Sequence, residues 1–500
     1  MFLIKEEFYI NITDFIFEKN KNNMDNIALL WASKDGREKT YSYRDLDILS
    51  NKVANMLVSL GIKKGDRVFL YLNRSPETFF FILGMLKCGA IYCPLFPSFG
   101  ADAVKDRFLD CEGSLIITEE ELVDNIGDFP RLVLDRDGAF TEKLLAMDSK
   151  FVSPEINLED KAIIHYTSGT TGKPKGAVHC HGAILGHYET SMNVLGLTRD
   201  AKYWCTADPA WVTGTSYGVL GPLSVGAKIL VCDPGYRAVH IMDTLQKYKI
   251  SIWYTAPTLL RMLMRENKVN FKKYSLPYLK KIFSVGEALS PEVFHWAEKN
   301  LGLPIFDTWF QTETGSIMIA NDGNFAIKPG SMGKPINGVT IEILDDNWDV
   351  LAPGLKGHLS IRIPWCSMFY NYWGREDKYK NCFQKNWYIT GDLAYKDNEG
   401  YFYFVSREDD VINTAGHLLS PYEVERILVS HPSVEDTAVV GMPDKLMGEA
   451  VKAYIVLKDG YDPSSQLQME YRVLVRNRLS PFASPQAIEF VDSIPKTESG

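Results

Sequence analysis

The chain has 500 residues, of which 46% are hydrophobic, 23% charged and 12% aromatic, and it carries a net charge of −9 at pH 7. That length exceeds one ordinary hydrophobic core and predicts about two to four domains of normal globular composition. The acidic balance argues against a general nucleic-acid binder, which carries a basic excess, while leaving room for a local basic pocket that holds a small polyanion.

The first residues, MFLIKEEFYINITDF, place charges at positions 5 to 7 and contain no long apolar run, so no signal peptide is expected. From about residue 25 to 260 strands and helices alternate. DRVFLYL reads as a strand. SPETFFFILGMLKCG follows as a helix with Ser75 as N-cap, Pro76 at the first helical position and Gly89 at its close. AIYCPL is the next strand. The most apolar window, Phe79 to Phe96, is interrupted by Lys87 and Gly89 and falls short of the ~20 residues of a membrane span, so it reads as a buried helix leading into a strand.

YTSGTTGKPKG, Tyr166 to Gly176, concentrates three glycines, three threonines, a serine and two lysines in eleven positions. Glycines let backbone N–H groups approach an anion closely and lysines add charge, so this loop is expected to handle phosphate. It is not a Walker A loop: two residues, not four, separate Gly169 from Gly172, and Pro174 follows Lys173. Farther on, AKILVC, AVHIMDTLQKYK and ISIWYTA read as strand, helix and strand of a further βαβ unit. Such alternation implies mostly parallel sheets covered by helices, and two sheet systems fit the length before residue 330.

From 338 to 364, VTIEILDD and GHLSIRIP are short alternating strands of a smaller β subdomain. From about 409, SPYEVERILVSH as a helix, VEDTAVVGMP and AVKAYIVL as strands, and one more helix make a small α+β domain. The eight cysteines are scattered, without CxxC or disulfide-scaffold spacing, which implies a reducing compartment; a soluble cytoplasmic protein is expected.

In this order, and over nearly the whole chain, these segments resemble the AMP-forming acyl-CoA synthetases of the acyl-adenylate-forming superfamily. ADPAWVTGTSYGVLGPL and DTWFQTETG are similar to the short-chain branch, the acetyl- and propionyl-CoA synthetases. The resemblance implies an α/β fold: a large N-terminal domain over residues 1–408, made of two βα sheet systems and a β subdomain at about 330–408, then a mobile α+β C-terminal domain over 409–500. It implies ATP, Mg²⁺ and coenzyme A as cofactors and a short-chain carboxylate as substrate.

The resemblance also assigns residues. Thr167, Ser168, Gly169, Thr170, Thr171 and Gly172 would cradle the β- and γ-phosphates of ATP, with Lys175 sharing the charge that develops as pyrophosphate leaves. Thr312 would contact phosphate or metal, and Glu313 would bind Mg²⁺, a hard cation suited to one carboxylate plus nucleotide oxygens. Trp309 would pack on adenine, with Asp307, Thr308 and Gln311 beside it and Gly286, Glu287 and Ala288 lining the other side. Asp392 would accept from the ribose hydroxyls, partnered by Arg407. Val212, Thr213, Val285 and Phe310 would wall the acyl pocket, Gly416 and Arg476 would meet coenzyme A, and Asp409 would be the hinge. Phe310 stands where the branch has a tryptophan, so acetate, propionate and butyrate are all expected as substrates.

Three departures stand out. The sequence stops at IPKTESG, where the family continues with a lysine that bridges the attacking carboxylate and the α-phosphate. Either the protein continues past Gly500 or this lysine is absent; without it the first step is expected to fall by orders of magnitude, while thioester formation from supplied acyl-adenylate could survive. Leu418 occupies a position where the family has a phosphate-contacting arginine, and Ser406 replaces a glycine. Two alternatives stay open: loading of an acyl carrier protein in place of free coenzyme A, and a decayed synthetase that only binds nucleotide or acyl ligands.

Overall fold

The computed structural model describes residues 11–495 apart from 136–137, 168–173, 233–234, 236, 267–268, 409–411, 415–416, 420, 445–447, 480 and 482. The chain forms two compact units. One comprises Met1–Pro329, Pro335–Val339 and Pro364–Asn381; the other comprises Gly330–Lys334, Thr340–Ile363 and Cys382–Gly500.

The first unit contains the two expected sheet systems. One is a seven-stranded sheet in the order Asn371–Tyr372, Lys175–Cys180, Lys161–Thr167, Ile91–Pro94, Arg67–Tyr71, Leu115–Glu119 and Arg131–Leu134. Its central pairs are parallel, with Val68 opposite both Tyr92 and Leu115. The helix Pro76–Lys87 joins two of these strands and is buried almost throughout, which is why it reads as apolar on every face. Pro76 presets its first turn as expected, and Gly89 takes a left-handed φ of 77° at the exit. Ser75 holds the N-cap position in backbone terms, but its hydroxyl makes no capping bond. That corrects the sequence expectation.

The other sheet runs from Ile319–Ala320 through Ile305–Trp309, Lys281–Ser284, Ile252–Thr255, Lys202–Cys205, Lys228–Cys232 and Ile27–Ala32 to Glu38–Ser42. Its interior pairs are again parallel. The strand–helix–strand unit read at Lys228–Cys232, Ala238–Lys247 and Ile252–Thr255 is present, but Lys202–Cys205 lies between its two strands. A crossover helix can step over a strand, and chain order alone does not reveal that.

In the second unit the two alternating segments form the strands Ile341–Leu344 and Lys356–Arg362, which pair antiparallel, and Trp387–Lys396 and Phe402–Arg407 extend the same antiparallel sheet. Val434–Asp444 and Gly448–Leu457 form a long antiparallel pair. The helices Pro421–Val429 and Ser465–Arg478 close a core of Val424, Ile427, Leu428, Val451, Ile455, Tyr471 and Val475 with it. Ser464 caps the second helix by accepting from the Leu467 amide at 3.2 Å. The architecture is the α/β plan expected: large sheets first, small α+β elements last. Among the described residues no helix is long and apolar enough to cross a membrane.

Candidate active site

The threonine- and glycine-rich segment follows the strand Lys161–Thr167 and leads into the strand Lys175–Cys180. Lys161–Thr167 and Lys175–Cys180 pair antiparallel, with Tyr166 opposite Gly176 and Thr167 opposite Lys175. Ser168, Gly169, Thr170, Thr171 and Gly172 lie outside the described residues. Thr167 donates its hydroxyl to the Lys175 carbonyl at 3.4 Å. Tyr166 donates to Asp110 Oδ2 at 2.9 Å, and Arg375 holds the same carboxylate through both of its terminal nitrogens. Gly176 fits because a Cβ there would stand 2.7 Å from Ile164 Cγ2. Lys175 lays its ammonium over the ring of Tyr372, 4.8 Å from the centroid.

Strand Ile305–Trp309 delivers the chain into a tight turn over Gln311–Gly315. Gln311 N–H donates to Thr314 Oγ1 at 3.0 Å, and Gly315 N–H reaches back to the Gln311 carbonyl at 3.2 Å. Gly315 has φ 73°, and a Cβ would sit 2.3 Å from the Ser367 carbonyl, so no other residue fits. Side chains from distant elements take up the turn's carbonyls. His179 Nε2 donates to Thr312 O at 2.7 Å, His187 Nε2 to Gly315 O at 3.0 Å, and Ser216 Oγ also to Gly315 O at 3.2 Å. Trp365 Nε1 and Ser367 Oγ both donate to Thr314 O, at 2.9 and 2.7 Å.

A carbonyl can only accept, so both imidazoles carry their proton on Nε2. Burial drives His179 down to about 4 and His187 down to about 3, keeping both rings neutral near pH 7. The turn therefore presents Thr312 and Glu313 from a pinned backbone. Glu313 Oε1 accepts from Tyr372 Oη at 2.7 Å. Among the described residues no three acidic, histidine or cysteine side chains cluster as a protein-only metal cage. The donor set at Glu313, one half-buried carboxylate hydrogen-bonded to Tyr372, fits a Mg²⁺ that takes its other ligands from nucleotide oxygens and water.

Around Trp309 the neighbouring side chains turn inward. Ser284 Oγ donates to Asp307 Oδ1 at 2.5 Å, and burial raises the Asp307 carboxyl to about 7. Thr308 donates to the Ser284 carbonyl at 2.8 Å and shares a 2.7 Å bond with Tyr254. Trp309 and Gln311 are half-buried. Gly286, φ 93°, faces open space, whereas the Glu287 carboxylate is tied to Thr258 at 2.6 Å and to Arg261; Ala288 beside them is half-buried.

The proposed acyl walls do come together. Val285 and Phe310 are buried in one apolar cluster with Tyr217, Tyr254 and Phe283, and Val212 packs against it. The Phe310 ring meets Tyr217 edge to face, 5.3 Å between centroids. Thr213 is half-buried and leads directly into a π-helix at Gly214–Leu220.

In the second unit Asp392 and Arg407 are cross-strand partners, with Arg407 Nε 3.4 Å from Asp392 Oδ1. Asp392 is buried and Arg407 exposed. Arg476 is exposed on its helix, and Ser406 is buried. Asp409, Gly416 and the Leu418 side chain lie outside the described residues. Lys175 and Glu313 thus meet through Tyr372, Val285 and Phe310 share one apolar cluster with Val212 against it, and Asp392 meets Arg407. His179, His187, Ser216, Trp365, Ser367 and Tyr372 were missed, for no spacing rule links them to the turn they hold.

A two-sheet unit with a loop-bearing hairpin and a pinned Thr-Glu turn is the plan of an adenylate-forming enzyme, and the comparisons agree. The pattern of the AMP-binding enzyme family matches residues 16–373, and that of the AMP-binding enzyme C-terminal domain matches 423–500. The chain belongs to the AMP-binding enzyme family. It is 40% identical to acetyl-coenzyme A synthetase of Bacillus subtilis (strain 168), over 97% of this chain and 86% of that protein. It is 37% identical to acetyl-coenzyme A synthetase of Pyrobaculum aerophilum, over 97% of this chain and 79% of that one. Among solved structures, the anthranilate CoA ligase AuaEII in complex with anthranoyl-AMP superposes with TM-score 0.90 at 28% identity, covering 100% of this chain and 97% of that one. An acyl-CoA synthetase of Brucella canis gives 0.78 at 30% identity, covering 98% and 92%.

Proposed function

We propose that the chain is an AMP-forming acid–thiol ligase that activates acetate, propionate and butyrate with ATP and passes the acyl group to coenzyme A. The observation that carries this reading is the pinned turn, which sets Glu313 against Tyr372 and, across that ring, Lys175 at the foot of the anion-handling hairpin. Near full-length likeness to acetyl-coenzyme A synthetases supports the short-chain class.

In the first step a carboxylate oxygen attacks the α-phosphorus of ATP, the bond to the β-phosphate oxygen breaks, and pyrophosphate leaves. In the second the thiol sulfur of coenzyme A attacks the acyl carbonyl carbon, loses its proton, and AMP departs with the bonding pair. No protein nucleophile is needed; positioning and electrostatics do the work. The roles proposed are Lys175, Thr312 and the loop hydroxyls for the phosphates, Trp309 with the Gly286–Ala288 turn for adenine, and Asp392 with Arg407 for ribose. Glu313 would hold Mg²⁺, which would neutralise phosphate charge. Val212, Thr213, Val285 and Phe310 would bound the acyl group, Gly416 and Arg476 would serve coenzyme A, and a C-terminal domain from Asp409 would turn between steps. A cytoplasmic location fits eight free thiols.

The test is pyrophosphate release across acids from acetate to hexanoate, on this 500-residue chain and on one extended through the next twenty or so residues. Best turnover on hexanoate or an aromatic acid would overturn the substrate class. Faster acceptance by an acyl carrier protein than by coenzyme A would overturn the acceptor.

A further inference from the structure

Between the hairpin and the Thr-Glu turn runs a short segment that the proposed roles leave unused. Phe369 N–H donates to the Glu313 carbonyl at 3.0 Å, and Trp373 N–H donates to the Gly176 carbonyl at 2.8 Å. Strand Asn371–Tyr372 pairs with Lys175–Cys180, with Tyr372 opposite Ala177. The segment is thus hydrogen-bonded at one end to the residue that would meet the cation and at the other to the foot of the phosphate loop.

Tyr372 stands in the middle and makes both connections again with its side chain. Its hydroxyl donates to Glu313 Oε1 at 2.7 Å. Its ring face receives the Lys175 ammonium at 4.8 Å. The ring itself is buried and braced edge-on by Phe369, 5.1 Å between centroids, so it has little freedom to turn. One aromatic side chain thus contacts both a carboxylate and an ammonium. Its hydroxyl gives the carboxylate a partner and its ring face gives one to the ammonium.

We infer that Tyr372 is a positioning residue: it occupies Glu313 Oε1 by hydrogen bond, leaving the other carboxylate oxygen to serve the cation, and it seats the Lys175 ammonium on its ring for the departing phosphates. This rests on the nucleotide-and-Mg²⁺ reading of the site. Its two contacts are separable by chemistry. Tyr372→Phe removes the bond to Glu313 and keeps the ring under Lys175; Tyr372→Leu removes both. Outer partners of metal-holding carboxylates typically change metal affinity by about 10–100-fold.

The experiment is calorimetric ATP binding to the full chain, with and without Mg²⁺ and without acid, for wild type, Y372F, Y372L, E313Q and Y372F/E313Q. For wild type Mg²⁺ tightens ATP binding. In Y372F that gain shrinks about tenfold while metal-free ATP binding is unchanged, whereas in Y372L metal-free binding weakens too. Y372F adds nothing in the E313Q background, because the tyrosine acts through that carboxylate. The double variant tests the coupling from Glu313 even if one single variant loses stability. An undiminished Mg²⁺ gain in Y372F, or an additive loss in the double variant, overturns the role of Tyr372 and leaves the proposed function standing. Wild-type protein that binds no ATP with or without Mg²⁺ overturns the function itself.

Discussion

His179 donates its Nε2 proton to the carbonyl of Thr312 across 2.7 Å, joining the strand Lys175–Cys180 to a turn 133 residues farther along the chain. The bond exists only while the imidazole stays oriented, and buried surroundings hold its ring neutral. A neighbouring ring, His187, does the same for Gly315. Neutral histidines thus keep the Thr-Glu turn in shape.

Stability therefore depends on pH in a defined sense. The folded pKa of His179, about 4, lies below the ordinary 6.5, so as pH falls from 6.5 towards 4 the unfolded chain takes up a proton that the folded one refuses. Each pH unit in that window costs about 1.4 kcal/mol per histidine. His179→Gln keeps a donor for the carbonyl and removes the titration. Its unfolding midpoint should lose less on acidification than wild type, by about one proton's worth. Equal slopes for the two proteins would mean that His179 is already protonated in the fold.

Asp307 acts with the opposite sign. Its folded pKa, about 7, exceeds the ordinary 3.8, so its contribution is complete below pH 3.8 and is lost as pH rises through 7. The stability difference between wild type and Asp307→Asn should shrink steadily from pH 4 to 7. A difference that grows with pH would show that the carboxylate is ionised and favourably partnered.

Gly315→Ala should be among the more damaging single-methyl additions in the first unit. It combines a φ of 73° with a Cβ 2.3 Å from the Ser367 carbonyl. Backbone strain of this kind costs about 1–3 kcal/mol, before the clash is counted. Thermal unfolding measures the loss, and ATP affinity in the presence of Mg²⁺ should fall with it. Gly286→Ala, with open space around its Cβ, should cost only the strain of its own φ of 93°.

Phe310→Trp should confine the acyl pocket, leaving acetate turnover and cutting kcat/KM for propionate and butyrate; Phe310→Ala should shift preference to longer acids. One methylene in an apolar pocket is worth about 10–200-fold. The reason to expect a response is the packing of Phe310 against Tyr217 in the cluster that includes Val285. An acid profile identical in all three proteins would place the acyl group elsewhere.

Much of this was legible in the chain itself. Alternation of apolar strands with helices gave the two sheets, and the glycines, threonines and lysines of YTSGTTGKPKG marked a loop, because local composition dictates glycine-rich connections and β-branched runs. The rest was illegible for a physical reason. His179, His187 and Tyr372 reach the turn from 133, 128 and 59 residues away, and nothing in their own surroundings shows what they will meet. A buried histidine on a strand looks like any other core residue until the sheet order is known. The insertion of Lys202–Cys205 between two strands that are sequential by pattern is illegible in the same way.

The central claim is that this chain joins small carboxylates to coenzyme A through an adenylate. The most direct measurement is AMP and acyl-CoA formation from ATP, Mg²⁺ and coenzyme A across acetate, propionate, butyrate and hexanoate. Equimolar AMP and short-chain acyl-CoA, with hexanoate the poorest substrate, is the predicted result. Tight nucleotide binding with no AMP from any of these acids would contradict it.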